Sequence, residues 1–570
     1  MPALLRGAAR PPPRDQSRTA CALTAFLHQV RLRRFFMTIT PIEHVDADVA
    51  VIGSGFAGAL VSLALTRRGR RVALVERGRH PRFAIGESST PLANLLLEEL
   101  ADRYDLRRIR PFSKWGTWQR ERPEVAGGVK RGFTFLFHRP GEPFADDGEH
   151  RCQLLVAASP RDEVADTHWY RPDFDQALAC DAEAEGAVYL DETRLERMRN
   201  KGDRAVLDGT RNGRSIRISA RFVVDASGPR GFLHRAIGLA DPPLRWLPRT
   251  QGLYAHFEDV GRWDEMMPPD GAPPYPPDAA ALHHVFPGGW IWVLRFNNGI
   301  TSAGAALTDR VAQAVGAGDG AAAWERLLKT LPSVGDQFRE ARVVHPFVHA
   351  PRVAFRTHVM WGDKWAMLPS AAGVIDPLLS TGFPLTLLGI GRLLDVLEGT
   401  SGGSERDTAL AAYARVTELE LDATEQLVAA LYANMSDVPL FKRLSLLYFA
   451  AASFSEAARR LGRPELAPGF LLHAHPRFGP ELRACAALAT ASPHGRGHDA
   501  LLGRIDRAIE PFDTAGLLDR TRRDWYPVLA DDLLSSASKL DSSVEEIHRL
   551  LECCGLVSSA ATKMSLPDRF

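Results

Sequence analysis

A glycine-rich turn between two apolar runs is the first pattern in this chain whose residue types suit a defined chemistry. The run DVAVI ends at Gly53, and Gly55 and Gly58 complete the spacing GxGxxG before an apolar helical segment. In this arrangement Gly53 makes the turn, Gly55 lets a pyrophosphate approach the backbone, and Gly58 packs the helix on the strand. The free N–H groups at the helix start favour phosphate. Glu76 ends the next strand, where a carboxylate can bind a ribose, so the pattern predicts FAD or NAD rather than NADP.

Further segments favour a large FAD protein over an NAD enzyme. A strand ends in the tight turn VVDASGP, a helix opens with Arg171 in WYRPDFD, and another helix start follows in STGFPLTLL. The last of these places a positive helix end where the pyrimidine edge of a reduced flavin carries negative charge. The segment PRFAIGESS follows the second strand directly.

These motifs resemble those of the flavin-dependent halogenases, within the larger group built like para-hydroxybenzoate hydroxylase. The resemblance covers about residues 48–397, and its most specific parts are PRFAIGES at 81–88 and AGVIDPLLSTG at 372–382. It implies an α/β (α+β) flavoprotein fold: a Rossmann-like FAD-binding domain interleaved with a substrate-binding β-sheet domain, plus a C-terminal helical region. In the family the first segment is a strap between flavin and substrate, and amides matching Thr381 and Gly382 hold the halide.

The residues that would bind FAD combine the glycine turn with the positions that match the family. They are Gly53, Gly55, Phe56, Ala57, Gly58, Glu76, Arg77, Glu87, Ser88, Arg171, Asp225, Gly228, Gly373, Asp376, Pro377 and Gly382.

Lys130 is the candidate catalytic residue. The segment GGVKRGFTFLF at 127–137 is typical of one alternating strand, with Phe133 and the two following phenylalanines on one face and Lys130 on the other. By itself such a lysine is most often a solvated surface residue. The family, however, keeps a lysine in the same GxxKxGxxF setting, where it delivers halogen from hypohalous acid through an ammonium hydrogen bond or a haloamine. A nearby cation such as Arg131 would lower its pKa, although strand neighbours face opposite sides.

Three positions depart from the family pattern. The signature WxWxIP is present as Trp290 and Trp292 followed by Leu-Arg, which puts Arg295 where the family has an apolar turn. The two tryptophans can equally be core residues on one face of a strand. Ser370 stands where related flavoproteins have an aspartate, and Leu379 replaces a glutamate of the tryptophan-acting branch, which argues against free tryptophan as substrate.

Three functions remain open from the sequence. The first is a halogenase that uses reduced FAD, O2 and a halide on an electron-rich aromatic or an activated methylene, free or carrier-bound. The second is an FAD-dependent reductase or hydroxylase of the geranylgeranyl-reductase or aromatic-hydroxylase type. The third is a flavin-binding protein without turnover, acting as a sensor or carrier. No second GxGxxG is found for a nicotinamide, so the first would need a separate flavin reductase, and a carrier-bound substrate would add an acyl carrier protein as partner.

Composition excludes several other classes. Lys plus Arg number 70 against 69 Asp plus Glu, so a basic field for nucleic acid is absent. The six cysteines are scattered without a CxxC pair, which suits a reducing cytoplasm and gives no support for a metal site or a disulfide framework. The pair His473 and His475 lacks a third ligand, and we expect no metal and no membrane span.

The motifs divide the chain into alternating segments. Residues 1–44 are expected to be an extension without fixed structure or the result of a start codon assigned ahead of Met37. The others are 45–138 (first FAD-binding part), 139–215 (mixed substrate sheet and FAD-contact helix), 216–240 (second FAD-binding part), 241–355 (substrate-binding sheet), 356–396 (third FAD-binding part) and 397–570 (helical region).

Overall fold

A computed structural model of the chain describes residues 42–491 and 498–557. The expectations for most of the N-terminal extension, including Met37, lie outside the described residues.

The strands of the described residues belong to two large sheets and two small ones. They are β1 (Glu43–Ile52), β2 (Val72–Val75), β3 (Gly127–Lys130), β4 (Gly132–Phe137), β5 (Gln153–Ala157), β6 (Asp166–Trp169), β7 (Val188–Leu190), β8 (Thr193–Lys201), β9 (Arg204–Arg211), β10 (Arg214–Asp225), β11 (Thr250–Glu258), β12 (Ala281–Phe286), β13 (Gly289–Arg295), β14 (Thr301–Thr308), β15 (Arg342–Ala350), β16 (Phe355–Arg356), β17 (Trp361–Gly362), β18 (Trp365–Met367), β19 (Gly373–Val374) and β20 (Trp525–Tyr526).

The longest α-helices of the described residues lie between residues 382 and 460. The α-helices are α1 (Phe56–Arg67), α2 (Pro91–Arg103), α3 (Trp115–Glu121), α4 (Arg171–Ala184), α5 (Phe232–Ala236), α6 (Trp263–Met266), α7 (Asp309–Val315), α8 (Ala321–Lys329), α9 (Pro332–Gln337), α10 (Pro369–Ala372), α11 (Gly382–Gly399), α12 (Gly403–Ala433), α13 (Val438–Arg460), α14 (Phe478–Ala491), α15 (His498–Ile509), α16 (Ala530–Ser535) and α17 (Val544–Cys553).

The first sheet confirms the predicted βαβ unit. Its main order is β17-β18-β10-β1-β2-β7. In addition, β9 pairs with β10, and β8 pairs with β9. Strand β1 pairs in parallel with both β2 and β10, and α1 connects β1 to β2. The residues of β2 are all buried, as expected for a parallel strand covered on both faces.

The second sheet has the order β15-β11-β14-β13-β12-β4-β5-β20 and is mostly antiparallel. It departs from the predicted boundaries in two places: β4 lies within the segment assigned to the first FAD-binding part, and β20 comes from the helical region. Conversely, β8 and β9, within the mixed segment, belong to the first sheet. Pairing between strands distant in sequence is invisible to local periodicity, which explains these differences.

The C-terminal helices share one hydrophobic core with the first sheet. Leu421 and Leu431 of α12 and Leu444 and Leu447 of α13 are buried in the same cluster as the residues of β1 and β2. The helical region is therefore a structural part of the flavoprotein fold. In the part of the chain that the structure describes, no helix has the length and apolar character to cross a membrane.

Candidate active site

The backbone of the glycine turn leaves no room for side chains at two of its three glycines. Gly53 has φ +98°, and a Cβ there would lie 2.7 Å from the carbonyl oxygen of Ala226. A Cβ on Gly58 would lie 1.8 Å from the carbonyl oxygen of Gly53. The turn and the helix–strand packing therefore both depend on glycine, as the motif predicts.

Two arginines surround the start of α1. Gly55 is the residue before the helix, and a Cβ there would lie 3.4 Å from guanidinium nitrogens of both Arg82 and Arg171. Arg171 is paired with the buried carboxylate of Asp175 at 2.7 Å, and Asp175 also accepts a hydrogen bond from the N–H of Phe56 at 3.1 Å. The buried Nε of Arg82 has no hydrogen-bond partner in the described structure. A helix N-terminus with two guanidinium groups fits a pyrophosphate, so the residues present suit FAD at this point.

Glu76 lies in the predicted position at the end of β2. Its carboxylate accepts hydrogen bonds from the N–H groups of Ser54 at 3.2 Å and Gly78 at 3.0 Å. Burial opposes ionisation, but Arg82 and these N–H groups hold the pKa of Glu76 below its usual value. The neighbouring Arg77 is exposed.

Aromatic rings connect the first turn of α1 to the first turn of α11. Phe56 contacts Trp169 and Phe383 edge to face, with ring centroids 5.5 Å and 4.9 Å away. Trp169 and Phe383 stack on each other at 4.1 Å. Ala57, next in α1, is buried. These contacts fix the two helix starts that the sequence assigns to the cofactor.

The turn after β10 is held by Asp225. This buried carboxylate accepts hydrogen bonds from the N–H of Ser227 at 2.9 Å and the N–H of Leu233 at 2.7 Å, and burial raises its pKa. Gly228 follows with φ +79°. Because Ala226 of this turn contacts Gly53, Asp225 shapes the wall of the glycine turn.

Lys130 is fully buried, and the prediction of one continuous strand around it was wrong. The segment is split into β3, which pairs with β6, and β4, which belongs to the second sheet. The break falls at Arg131, whose N–H donates to the carbonyl of Ala279 at 2.7 Å. Because the chain passes from one sheet to another at Arg131, the alternation of side chains along a single strand does not apply across this position. The Nζ of Lys130 therefore lies over the ring of Phe133 at 3.8 Å.

The Lys130 ammonium is bound by the segment 81–89. Its Nζ donates to the hydroxyl of Ser88 at 2.8 Å and to the carbonyl of Ser89 at 2.5 Å. Burial lowers the pKa of Lys130 to about 7, while the nearby Asp166 acts in the opposite direction. Arg131 does not contribute, because its side chain turns away toward Asp162 and the carbonyl of Ser159.

The same segment is fastened at several points. The carboxylate of Glu87 is buried and lies 3.0 Å from the Nε2 of His256, and the carbonyl of Glu87 accepts from the N–H of Trp169 at 2.6 Å. Arg171 donates to the carbonyls of Ile85 and Gly86. The segment 81–89 therefore contacts Arg171, beside the glycine turn, through Ile85 and Gly86, and it contacts Lys130 through Ser88 and Ser89.

The loop before α11 is held by a buried carboxylate. Asp376 accepts hydrogen bonds from the N–H of Leu378 at 3.0 Å and the hydroxyl of Tyr432 at 2.8 Å. Burial raises the pKa of Asp376 to about 7. Trp290 donates its Nε1 proton to the Tyr432 hydroxyl at 3.1 Å, so the first tryptophan of the incomplete signature reaches this loop.

The start of α11 is open. The carbonyl of Pro377 accepts from the N–H of Ser380, whose φ is +52°. Thr381 precedes the helix and is buried, whereas Gly382 is exposed and nothing lies within 4 Å of a Cβ placed on it. In contrast, a Cβ on Gly373 would lie 2.9 Å from Leu421, so that glycine serves packing against α12.

The charge of Arg295 is neutralised inside the protein. Its Nε donates to Asp278 at 2.7 Å, and its other nitrogens donate to the carbonyls of Val260 and Gly261. Trp292 donates to the hydroxyl of Ser302 at 3.3 Å. The departure from the family signature therefore leaves no unpaired charge at this turn.

A cavity of about 190 Å³, lined in part by Phe133, lies between the second sheet and the C-terminal helices. Its walls include Tyr448 and Phe449 of α13, with Glu456 and Arg460 at a polar part of the lining. Phe133 therefore contacts the Lys130 ammonium and also borders the cavity.

Sequence reasoning missed four residues of this arrangement. Arg82 lies in the segment PRFAIGES and Asp175 lies in the segment WYRPDFD, so their charges were a usable signal. Asp166 and Tyr432 belong to no motif, and only the pairing of β3 with β6 and the packing of α12 bring them to the site. Among the described residues, no group of three or more His, Cys, Asp or Glu side chains is arranged to hold a metal ion.

Comparison with known proteins identifies relatives of this chain. A family model described as FAD dependent oxidoreductase matches residues 48–357. The monodechloroaminopyrrolnitrin halogenase PrnC of Pseudomonas fluorescens is 31% identical over 412 residues, which is 70% of this chain and 70% of that protein. The tetracycline 7-halogenase of Kitasatospora aureofaciens is 30% identical over 422 residues, 71% of this chain and 73% of that protein. The crystal structure of the halogenase PltM with phloroglucinol and FAD has a TM-score of 0.74 at 24% identity and covers 84% of this chain and 99% of that one.

The chain therefore belongs to the FAD-dependent oxidoreductase family and, within it, to the flavin-dependent halogenases. Its cofactor is FAD and a halide is its co-substrate. The reductase or hydroxylase alternative is not favoured by these comparisons.

Proposed function

We propose that this protein uses reduced FAD and O2 to halogenate a free aromatic substrate, with Lys130 delivering the halogen. The observation that carries the proposal is the position of Phe133. One face of its ring contacts the buried Lys130 ammonium at 3.8 Å, and the same side chain borders the cavity under the C-terminal helices. A reactive group and a compartment for a small molecule are thus one side chain apart.

The cofactor is proposed to lie along the first sheet. Arg82, Arg171 and the start of α1 would hold its pyrophosphate, Glu76 its ribose, and the exposed Arg77 its adenine edge. When bound and reduced, FAD supplies with O2 the oxidising equivalents that turn a halide into hypohalous acid. The remaining proposed contacts are those predicted from the sequence: Gly53, Gly55, Phe56, Ala57, Gly58, Glu87, Ser88, Asp225, Gly228, Gly373, Asp376, Pro377 and Gly382.

The halide is proposed to bind at the start of α11. The N–H groups of Thr381 and Gly382 lie at the positive end of an 18-residue helix, and Gly382 is exposed with open space around it. An anion there needs no positively charged side chain.

Lys130 is proposed to hold the electrophile by its ammonium protons. Two protons are used by Ser88 and Ser89, which leaves one within the described structure for the oxygen of hypohalous acid. Because Lys130 is fully buried, water cannot compete for this bond, and a hydrogen bond in such a site is stronger than in solvent.

The substrate is proposed to be a free small molecule. The two relatives with the higher identities are named for aminopyrrolnitrin and tetracycline compounds, whereas relatives named for carrier-bound pyrrole substrates are 25% and 22% identical. Aromatic walls suit stacking on a ring. A separate flavin reductase and a cytoplasmic location stay predictions, and so does a carrier protein as alternative partner.

The test is bromination of phloroglucinol followed by mass spectrometry. Wild-type protein with chemically reduced FAD, air and bromide should give brominated product, and Lys130→Met should lower its yield by roughly a hundredfold or more while FAD still binds and reoxidises.

Lys442→Met is the matched control. Lys442 is also buried and also lies near a phenylalanine of β4, at 5.9 Å from the ring of Phe137, but it is paired with Asp524 outside the site. Product formation by Lys130→Met at the wild-type rate, or its absence with wild-type protein, would contradict the proposal.

A further inference from the structure

A second buried ionisable group faces Lys130. Asp166 begins β6 and is the direct cross-strand neighbour of Lys130 in the β3–β6 pair. Directly opposite residues of an antiparallel pair have Cβ atoms about 4.5–5.5 Å apart, so the two side chains leave the sheet close together. No motif of the sequence includes Asp166, and the delivery step proposed above does not use it.

One oxygen of the Asp166 carboxylate has a hydrogen-bond partner among the described residues, and the other has none. Its Oδ1 accepts a hydrogen bond from the side-chain amide of Asn94 at 3.0 Å. Its Oδ2 is buried and has no hydrogen-bond partner in the part of the chain that the structure describes. Burial of an unpaired carboxylate oxygen costs folding free energy unless a nearby positive charge compensates it.

Two other charges face Asp166, and at this carboxylate they compensate each other only in part, because Glu456 raises its pKa more than Arg460 lowers it. Glu456 and Arg460, which face it from α13, are paired at 2.8 Å. His168 on β6 and His283 on β12 are neutral, because burial lowers the pKa of the first well below its usual value and that of the second to about 3. Tyr448 on α13 is also neutral, since burial raises its pKa. Among the described residues, the positive charge that acts most strongly on Asp166 is the Lys130 ammonium.

We propose that Asp166 is a positioning residue that keeps Lys130 protonated, so that the lysine can donate a proton to the oxygen leaving hypohalous acid. This inference rests on the proposed function. Without a counter-ion, a fully buried lysine loses its proton, and a neutral amine cannot donate one. With Asp166 opposite, the ammonium survives in a site that excludes water.

The proposed step balances. The aromatic π electrons form the new carbon–halogen bond, and the O–X bond breaks with its electron pair moving to oxygen. The oxygen takes a proton from the Lys130 Nζ and leaves as water. The ring carbon then loses its proton, which returns to the Lys130 amine, so aromatic C–H and HOX become aromatic C–X and water and the lysine is restored.

The shifted pKa values support this assignment. Burial lowers the pKa of Lys130 to about 7 and raises that of Asp166 to about 7, and each group acts against the shift of the other. Removing the Asp166 charge therefore lowers the pKa of Lys130 further, and the ammonium is lost at a lower pH.

The first experiment is the pH profile of bromination by wild type and Asp166→Asn. Activity that requires the ammonium falls as pH rises through the pKa of Lys130, so Asp166→Asn should lose activity roughly tenfold at about pH 7.5 and recover most of it near pH 6. KM for the phenol should change less than about twofold. Asp166→Glu should restore the wild-type profile, because it keeps a carboxylate opposite the lysine.

The second measurement does not depend on turnover. In the protein without FAD, the Cε signal of 13C-labelled Lys130, assigned by its absence in Lys130→Met, should titrate at least about one pH unit lower in Asp166→Asn. Asp181→Asn is the matched control, since Asp181 is a buried carboxylate paired with Arg122 and Arg108 away from the site. It should leave both the profile and the titration unchanged.

An unchanged Lys130 titration in Asp166→Asn, or a loss of activity that is equal at every pH, overturns the inference. If Asp166→Asn does not fold, Asn94→Leu removes the hydrogen bond that holds Asp166 ionised and should shift the lysine in the same direction; no shift there overturns it equally. Wild-type protein that fails to brominate refutes the proposed function instead, and the titration still tests the pair.

Discussion

The glycine turn and the lysine corner, by which we mean Lys130 with Asp166, Ser88, Ser89 and Asn94, use charge in opposite ways. At the turn, Arg171 and Asp175 form a close ion pair, and the pKa of Glu76 is held below its usual value. At the corner, burial brings the pKa of Lys130 and of Asp166 to about 7. Fixed charges serve to bind a cofactor at any pH, whereas groups that titrate near neutrality serve to move protons.

The two regions also differ in whether their function depends on the backbone or on side chains. The turn depends mainly on backbone positions and on the absence of Cβ atoms, while the corner depends on side chains brought together from separate segments. Substitutions at the turn should therefore remove the cofactor, and substitutions at the corner should leave the cofactor bound and change its use.

The largest effect is expected for Gly58→Ala. A Cβ there would lie 1.8 Å from the carbonyl oxygen of Gly53, so α1 must move away from the turn. We expect loss of FAD retention after desalting and a destabilisation of about 1–3 kcal/mol or more, measured by flavin absorbance and urea unfolding. Gly69→Ala is a control for a glycine with nothing within 4 Å of the new Cβ, although its φ of +73° adds some strain. Retention of FAD by Gly58→Ala would show that the turn tolerates a side chain at this position. It would contradict the statement that the turn depends on the absence of Cβ atoms.

A second effect concerns stability as a function of pH and tests whether buried carboxylates behave alike outside the lysine corner. Burial raises the pKa of Asp376 to about 7, so the folded chain binds this proton more tightly than the unfolded chain. Its contribution to stability is therefore present at low pH and is lost as the pH rises from about 4 to about 7. Asp376→Asn cannot ionise, so its unfolding free energy relative to wild type should rise across this window by up to about 1.4 kcal/mol per pH unit.

Urea unfolding at several pH values, with Asp173→Asn as the control, measures this difference. Asp173 is only half-buried and accepts a hydrogen bond from the N–H of Ala126, and burial raises its pKa. It should show a weaker pH dependence than Asp376. A stability difference for Asp376→Asn that does not change with pH would show that the carboxylate ionises freely, and the contrast between the turn and the buried sites would then rest on Lys130 and Asp166 alone.

The sequence predicts the glycine turn more accurately than the lysine corner, and the reason is physical. Gly53, Gly58 and Glu76 act within one βαβ unit, so their spacing along the chain fixes their spacing in space. Lys130 was found through a resemblance, but its orientation was predicted on the wrong parity because the break at Arg131 has no local signature. Asp166 and Tyr432 reach the site only through strand register and helix packing, which a single sequence does not reveal.

The smallest effect separates fixed charge from geometry within the turn. Arg82→Ala removes one guanidinium beside Gly55, while Arg171 and the helix start remain, so we expect FAD to bind about tenfold more weakly, or about 1.4 kcal/mol, by fluorescence titration. Arg79→Ala, an exposed arginine on the same loop, should leave the affinity within about twofold. Because the contribution of Arg82 is electrostatic, the tenfold loss should shrink at high salt. A loss that is equal at low and high salt would mean that Arg82 acts through geometry rather than charge, and the division between binding charges and reacting charges would no longer hold.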